Sequence, residues 1–295
     1  MKHYAIKDLE RLSGIKAHTI RIWEQRYRLL HPERTDTNIR LYSDEDLRKL
    51  LNVTLLLDNG IRISKISELS EDKISQEVQR LLSKQTSVSE NLDNYLKGLV
   101  LAMVELDEKK FDGIFERCVE EMGFLGTVNN LLYPFLVRIG VMWGTAEINP
   151  SQEHFISCLI RQKMITAINE LPFAEREDET FMLFLPQDEL HEIGLIMAHY
   201  LLKRNGKKVI YLGQNVPFKD MRDLASISNP DYIMTIITSR KSLEEVQHAI
   251  DMVQKSFPAK KFLLSVSGFA EKDLNLMENT LVIESLPHFV QFLEN

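Results

Sequence analysis

The sequence predicts a multidomain chain in three successive parts: a small helical head with a hairpin wing, a four-helix bundle, and an open parallel α/β sheet. Three observations predict it. Two short helical stripes hinged at a glycine open the chain, four apolar stripes at helical spacing fill its middle, and five β-like runs alternate with helical patterns in the last third. A length of 295 residues exceeds one ordinary domain, and 44 % hydrophobic with 27 % charged residues is globular composition. The longest apolar runs fall short of the roughly 18–20 residues that span a bilayer, and the start lacks a signal-peptide core. Cys118 and Cys158 form neither a disulfide framework nor a metal knuckle, so a reducing cytoplasm is the expected setting.

In the head, Ile6, Leu9 and Leu12 share a helical face that ends at Ser13-Gly14, and a second helix resumes with Ile20, Trp23 and Tyr27 on its inner side. Two short helices hinged at a glycine make a helix-turn-helix. Lys16, His18, Arg21, Gln25 and Arg26 lie away from the apolar face, where they suit base edges and phosphates of double-stranded DNA; a solvated helix face is the plainer alternative. After Pro32, the polar turn Arg34-Thr35-Asp36-Thr37-Asn38 leads into Ile39-Arg40-Leu41-Tyr42, read as a wing that sets Arg40 and Tyr42 beside the DNA backbone. Ser43 then caps a third helix with acids in its first turn. Charge supports this division. The net charge of −7 splits into 13 basic against 10 acidic residues over 1–70, and 23 against 33 over the remainder.

Tyr4-Ala5-Ile6-Lys7-Asp8-Leu9, Gly14-Ile15, Thr19-Ile20-Arg21-Ile22-Trp23-Glu24, Arg26-Tyr27, Pro32, Arg34-Thr35 and Arg40-Leu41-Tyr42-Ser43-Asp44-Glu45-Asp46-Leu47 resemble the MerR family across residues 3–70. The resemblance implies a winged helix-turn-helix that binds promoter DNA as a dimer, with His18 and Arg21 reading or clamping DNA from the recognition helix and Arg40 and Tyr42 from the wing. Trp23 is assigned to the core. Asn38-Ile39 stands where the family often has Gly-Tyr, and asparagine tolerates the left-handed turn. Ile74, Val78 and Leu81-Leu82 make only about two turns of seam, too few for the long dimerising coiled coil usual in the family, so self-association is expected from the sensor.

The middle stripes run through Leu92, Tyr95, Leu96, Leu99, Met103 and Leu106; Phe111, Ile114, Phe115 and Val119; Leu131 to Val141; and Phe155 to Leu171. Trp143 sits in a glycine-bearing turn, and Glu153-His154 follows after nine intervening residues. The β-like runs are Phe181–Leu185, Lys208–Leu212, Tyr232–Ile237, Phe262–Val266 and Leu281–Ile283, the rhythm of a Rossmann-like, flavodoxin-like sheet. Such sheets bind ligands beyond the carboxyl ends of their strands. The first of those ends carries Pro186-Gln187-Asp188-Glu189-Leu190-His191-Glu192-Ile193-Gly194. There His191 suits a metal whose other ligands come from a cofactor, Glu189 suits its second ring nitrogen, and Gly194 allows close approach of a planar ligand.

Glu189-x-His191-x-x-Gly194, the run Tyr211-Leu212-Gly213-Gln214-Asn215-Val216-Pro217, and Trp143 before Glu153-His154 resemble the MerR-type cobalamin photoreceptor repressors over nearly the whole chain. The resemblance implies cobalamin, most simply adenosylcobalamin, bound between bundle and sheet. His191 is then the lower axial ligand to cobalt, the displaced tail lies near Thr235 and Gly268, and Trp143, Glu153 and His154 cover the upper face. It further implies a cytoplasmic repressor, not an enzyme, whose homo-oligomeric state (dimer or tetramer) and operator affinity follow the cofactor. Two departures stand out: Gly144 replaces the histidine that follows the cap tryptophan in photoreceptor members, and Ser267-Gly268 replaces a glycine pair. They leave the light response open, and with it a sensor acting through protein partners without cobalamin. A corrinoid methyltransferase-type protein and a plain metal site from Glu153, His154, His191 and His199 are the remaining alternatives. The expected boundaries are 1–75 for the reader, 76–90 for a linker, 91–173 for the bundle and 178–295 for the sheet.

Overall fold

Each helix of the head starts or stops where local chemistry requires it. The structure, a computed structural model, describes residues 3–82, 88–144, 149–174, 179–217, 219, 221–238 and 241–294, with backbone alone for 82, 88–91, 141–144, 221, 222, 225 and 226. Helix α1 (Ile6–Ser13) ends at Gly14 with φ 76, a left-handed cap that glycine adopts without a Cβ penalty. Helix α2 (Ala17–Tyr27) buries Ile20 and Trp23. Strands β1 (Glu33–Arg34) and β2 (Arg40–Leu41) pair antiparallel, and Asn38 takes φ 65 in the turn between them. Helix α3 (Asp44–Asp58) opens on Ser43, whose hydroxyl accepts from Asp46 N at 3.1 Å while the Asp46 carboxylate accepts from Ser43 N at 3.0 Å. The same carboxylate also accepts from His31 N at 2.8 Å, which ties the chain after α2 to the start of α3.

The stretch read as a linker, 76–90, is helical wherever it is described. Helix α5 (Glu71–Leu82) follows the short α4 (Ile63–Ile66), and α6 (Val88–Glu105) begins six residues after α5 ends. Ile74 and Val78 lie one turn apart and are buried, and α5 packs on both α3 and α6. Two apolar turns are too few for a coiled coil but enough to fix a helix against neighbours. The bundle continues with α7 (Glu108–Thr127), kinked at Gly123 where φ is 70, a π-helical turn (Val128–Leu132), α8 (Tyr133–Gly144) and α9 (Pro150–Glu170). Head and bundle are joined by more than chain. Arg138 of α8 donates to the Leu12 carbonyl in the last turn of α1 at 2.9 Å, and Lys97 of α6 pairs with Asp58 of α3 at 2.5 Å. A cation on the carbonyl end of α1 also opposes the negative pole of that helix.

The chain divides into two compact units, Met1–Leu159 and Ile160–Asn295, the division falling inside α9. The second unit is built on five parallel strands: β3 (Thr180–Pro186), β4 (Lys208–Val216), β5 (Tyr232–Ile237), β6 (Lys261–Val266) and β7 (Thr280–Val282), in the order β4-β3-β5-β6-β7. Helices α10 (Ile193–Arg204), α11 (Met221–Ser228), α12 (Leu243–Ser256) and α13 (Leu286–Glu294) fill the crossovers and the end. All seven residues of β3 are buried, as a central strand covered on both faces requires. Met182, Phe184, Ile233 and Leu264 pack against Val246, Ile250 and Val253 of α12. On the opposite face Phe181 stacks on Tyr232 at 4.4 Å, and Tyr232 meets Phe292 of α13 edge-on. The strand order reverses direction between β3 and β5, so the carboxyl ends of these two strands form the switch point at which such sheets take ligands. Among the described residues, no helix is long and apolar enough to cross a membrane.

Candidate functional site

The loop after β3 is organised around a buried carboxylate. Glu189 is 0 % exposed, and its Oε1 accepts from His191 N at 3.0 Å and faces His191 Nδ1 at 2.7 Å. Its Oε2 accepts from Thr238 N at 2.8 Å, just past the end of β5. One side chain therefore bridges the two strand ends of the switch point. The loop after β4 is tied in as well: Asp188 N donates to Asn215 Oδ1 at 2.9 Å and Asn215 N donates to the Glu189 carbonyl at 3.2 Å. Asp188 and Asn215 have φ 65 and 57, left-handed values that these two residue types adopt more readily than most. The His191 side chain is 54 % exposed beside this buried partner. A proton on Nδ1 directed at the carboxylate places the ring's lone pair on Nε2, the arrangement of a metal-binding imidazole with an orienting carboxylate.

The next residue anchors the loop to the chain before the sheet. Glu192 accepts from Arg161 of α9 at 2.5 Å and from the Tyr211 hydroxyl at 3.4 Å. Tyr211 in turn stacks on His199 at 4.9 Å, and burial together with Lys203 lowers the His199 pKa to about 4. Among the described residues no group of three His, Cys, Asp or Glu side chains is placed to hold a metal ion. A lone imidazole with a buried orienting carboxylate instead fits a metal that arrives with its own equatorial ligands, as the cobalt of a corrin does.

Other site residues read from sequence fall in different places. Thr235 lies inside β5, 0 % exposed, with its hydroxyl donating to the Phe184 carbonyl at 2.7 Å. It locks β5 to β3 and lines no slot in this structure. A Cβ on Gly194 would sit 3.2 Å from Ile236 Cδ1, so the glycine serves the close packing of α10 on β5. Gly268, with φ 88, has open space where a side chain would stand, and the preceding Ser267 N donates to the Ile237 carbonyl at 2.9 Å. Glu153 accepts from Ser157 at 2.7 Å and lies 3.6 Å from the strongly exposed His154. The side chain of Trp143 lies outside the described residues.

In the head, Lys16, His18, Arg21, Gln25 and Arg26 are all exposed on or beside α2, as a DNA-facing helix requires. The wing departs from expectation. Tyr42 is fully buried: its backbone bridges to Tyr4, and its hydroxyl donates to Glu24 at 3.2 Å. Burial and the Glu24 carboxylate raise its pKa, so it is a neutral core phenol and not a phosphate contact. Arg40 is mostly covered and donates through Nε to both Glu24 oxygens, at 3.1 and 2.9 Å, while Arg34 lies 3.9 Å from the same carboxylate. Sequence reasoning gave Glu24, Arg161 and Thr238 no role in a site, and quoted Asn215 in the run after the second strand without a partner. Their partners lie 16 to 49 residues away in the chain, and no local pattern marks such pairs.

Comparison with known proteins identifies two segments of the chain. Residues 4–73 match the MerR HTH family regulatory protein, and residues 95–167 match the B12 binding domain. The chain is 24 % identical to the HTH-type transcriptional repressor CarH of Myxococcus xanthus over 257 residues, covering 86 % of this chain and 85 % of the relative. It is 25 % identical to the HTH-type transcriptional repressor CarA of the same organism over 251 residues, covering 83 % and 80 %. In fold it is similar to the Methanosarcina barkeri monomethylamine corrinoid protein, with a TM-score of 0.55, 16 % identity, and coverage of 70 % of this chain and 99 % of that one. The chain therefore carries a MerR-type helix-turn-helix domain and a B12 binding domain, followed by a Rossmann-like parallel sheet.

Proposed function

We propose that this protein is a cytoplasmic transcriptional repressor that binds promoter DNA as a homo-oligomer, and that its operator affinity is set by cobalamin ligated through His191. The observation that carries the reading is the Glu189–His191 pair at the strand switch point of a chain that also presents an exposed basic recognition helix. Cobalamin, when bound, would supply a cobalt ion that an imidazole can ligate. The chain's part is to hold that imidazole. Glu189 fixes the tautomer, Thr238 N and the loop after β4 fix Glu189, and the left-handed turn at Gly268 leaves room beside the sheet for the cofactor's tail. Adenosylcobalamin is the form that Trp143, Glu153 and His154 would cover. Glycine at 144 supplies no imidazole beside Trp143, so a light response does not run through that position. The similar proteins CarH and CarA are transcriptional repressors, and the reading is of a regulator rather than an enzyme.

The test is direct. Purified full-length protein mixed with adenosylcobalamin is expected to elute from size exclusion as a coloured complex at a larger apparent mass than the apoprotein, and to retard a selected duplex more strongly. His191→Ala is expected to lower cobalamin retention by at least about tenfold. A wild-type protein that elutes free of the cofactor, or a His191→Ala variant that retains it equally, overturns the assignment.

A further inference from the structure

The outer face of the recognition helix carries one residue that phosphate contact does not explain. On α2, Ile20, Trp23 and Tyr27 point inward, and His18, Arg21, Ile22 and Gln25 follow at the i, i+3, i+4, i+7 spacing of a single outward stripe. Ile22 is 49 % exposed in that stripe, flanked by an imidazole, a guanidinium and an amide. Across described residues 3–75, the large aliphatic side chains left exposed are Ile22 and Ile39, and Ile39 stands in the turn of the wing. The head thus covers its apolar surface except on the two elements that face DNA. His18, Arg21 and Gln25 find donors, acceptors and phosphates in a major groove, where the apolar feature available to an aliphatic side chain is the C5-methyl of thymine.

We propose that Ile22 is a specificity-determining residue that reads thymine methyl groups in the major groove. This inference rests on the DNA-binding reading above. Arg21 and the exposed cations beside it supply attraction without regard to sequence, and Ile22 supplies discrimination at the positions it covers. Ile39 does not share the role: a wing lies against backbone or minor groove, where thymine shows no methyl.

The experiment starts from a random duplex pool, selected with the full-length protein in the presence of adenosylcobalamin. Each thymine of the selected site is then replaced by deoxyuridine, which removes only the methyl group. Wild type is expected to lose about fourfold in affinity at one or more positions, the effect of one buried methyl. Ile22→Ala is expected to bind thymine and uracil duplexes alike at those positions, and Ile39→Ala to keep the discrimination. Ile22 is half exposed and closes no core, so its truncation leaves folding intact. Uniform tolerance of uracil by wild type, or an unchanged ratio in Ile22→Ala, overturns the inference while leaving DNA binding in place. A selection that enriches no sequence overturns the DNA-binding reading and this inference together.

Discussion

Glu24 in the head and Glu189 in the sheet each gather the polar groups of their region, but with opposite kinds of partner. Glu24 keeps a side chain 14 % exposed and takes charged partners, Arg40 and Arg34, plus the Tyr42 hydroxyl. Glu189 is wholly buried and takes two backbone N–H groups and an imidazole. A carboxylate near the surface that holds arginines trades one ion contact for another and gains little net energy. A carboxylate out of water has no such exchange, and every one of its hydrogen bonds is needed. The head's glutamate therefore adjusts where cations sit, whereas the sheet's glutamate decides whether the loop exists in its present form.

Replacing Glu189 breaks this contrast most severely. In Glu189→Gln either orientation of the amide turns an NH2 group toward a backbone N–H, of His191 or of Thr238. The loop loses its bridge across the switch point and His191 loses its orienting partner. Cobalamin affinity is expected to fall about 10- to 100-fold, as for other residues that orient a metal-bound histidine. Titration of the variant with adenosylcobalamin, followed by absorbance, checks it. Unchanged affinity would show that Glu189 holds the loop without aiming the imidazole.

How far these regions were legible in the sequence depends on the distance between partners. The inner face of α2, the Ser43 cap, the left-handed Asn38 and the five strands follow from spacing within a few residues, and their chemistry is local. Glu189 and His191 were legible for the same reason, being two positions apart. Tyr42 was misplaced because an aromatic residue in a polar hairpin looks exposed until Tyr4, 38 residues earlier, is seen to bridge it. Thr235 and Gly194 were assigned to a ligand because their contacts, Phe184 and Ile236, belong to other elements of the sheet. The residues 76–82 read as linker because α5 is amphipathic over only two turns, and its stability comes from α3 and α6.

His199 sharpens the comparison from inside the sheet unit. Eight residues from His191, it lies against Tyr211 and near Lys203, and the carboxylate in this network, Glu192, is bonded to Arg161 and Tyr211. Its folded pKa of about 4 lies below the ordinary 6.5, so the unfolded chain binds a proton there more readily than the folded one. That contribution to stability is complete above pH 6.5 and is lost as pH falls from 6.5 toward 4, on the order of 2 kcal/mol once the partial exposure of the ring is discounted. Protection factors for amide exchange in β3 and β4 are expected to drop between pH 7 and 4.5 in wild type, and to drop less in His199→Phe, which keeps the stack without the titrating ring. An equal drop in both would move the acid sensitivity to the carboxylates and leave His191 as the histidine that matters.

The smallest effect is expected at Glu24. Glu24→Gln keeps an acceptor for Arg40 but removes the charge, and with about a seventh of the glutamate and a fifth of the arginine still in water the cost is about 1 kcal/mol. Because the pair acts as a unit, adding Arg40→Ala to Glu24→Gln is expected to cost less than Arg40→Ala does alone, and the difference is the coupling energy. Thermal unfolding of the four proteins of this cycle measures it. Strict additivity would mean that Arg40 is placed by the wing's own backbone and not by Glu24. The head's carboxylate would then be a bystander to the wing, and Glu189 the single organising glutamate of the two regions.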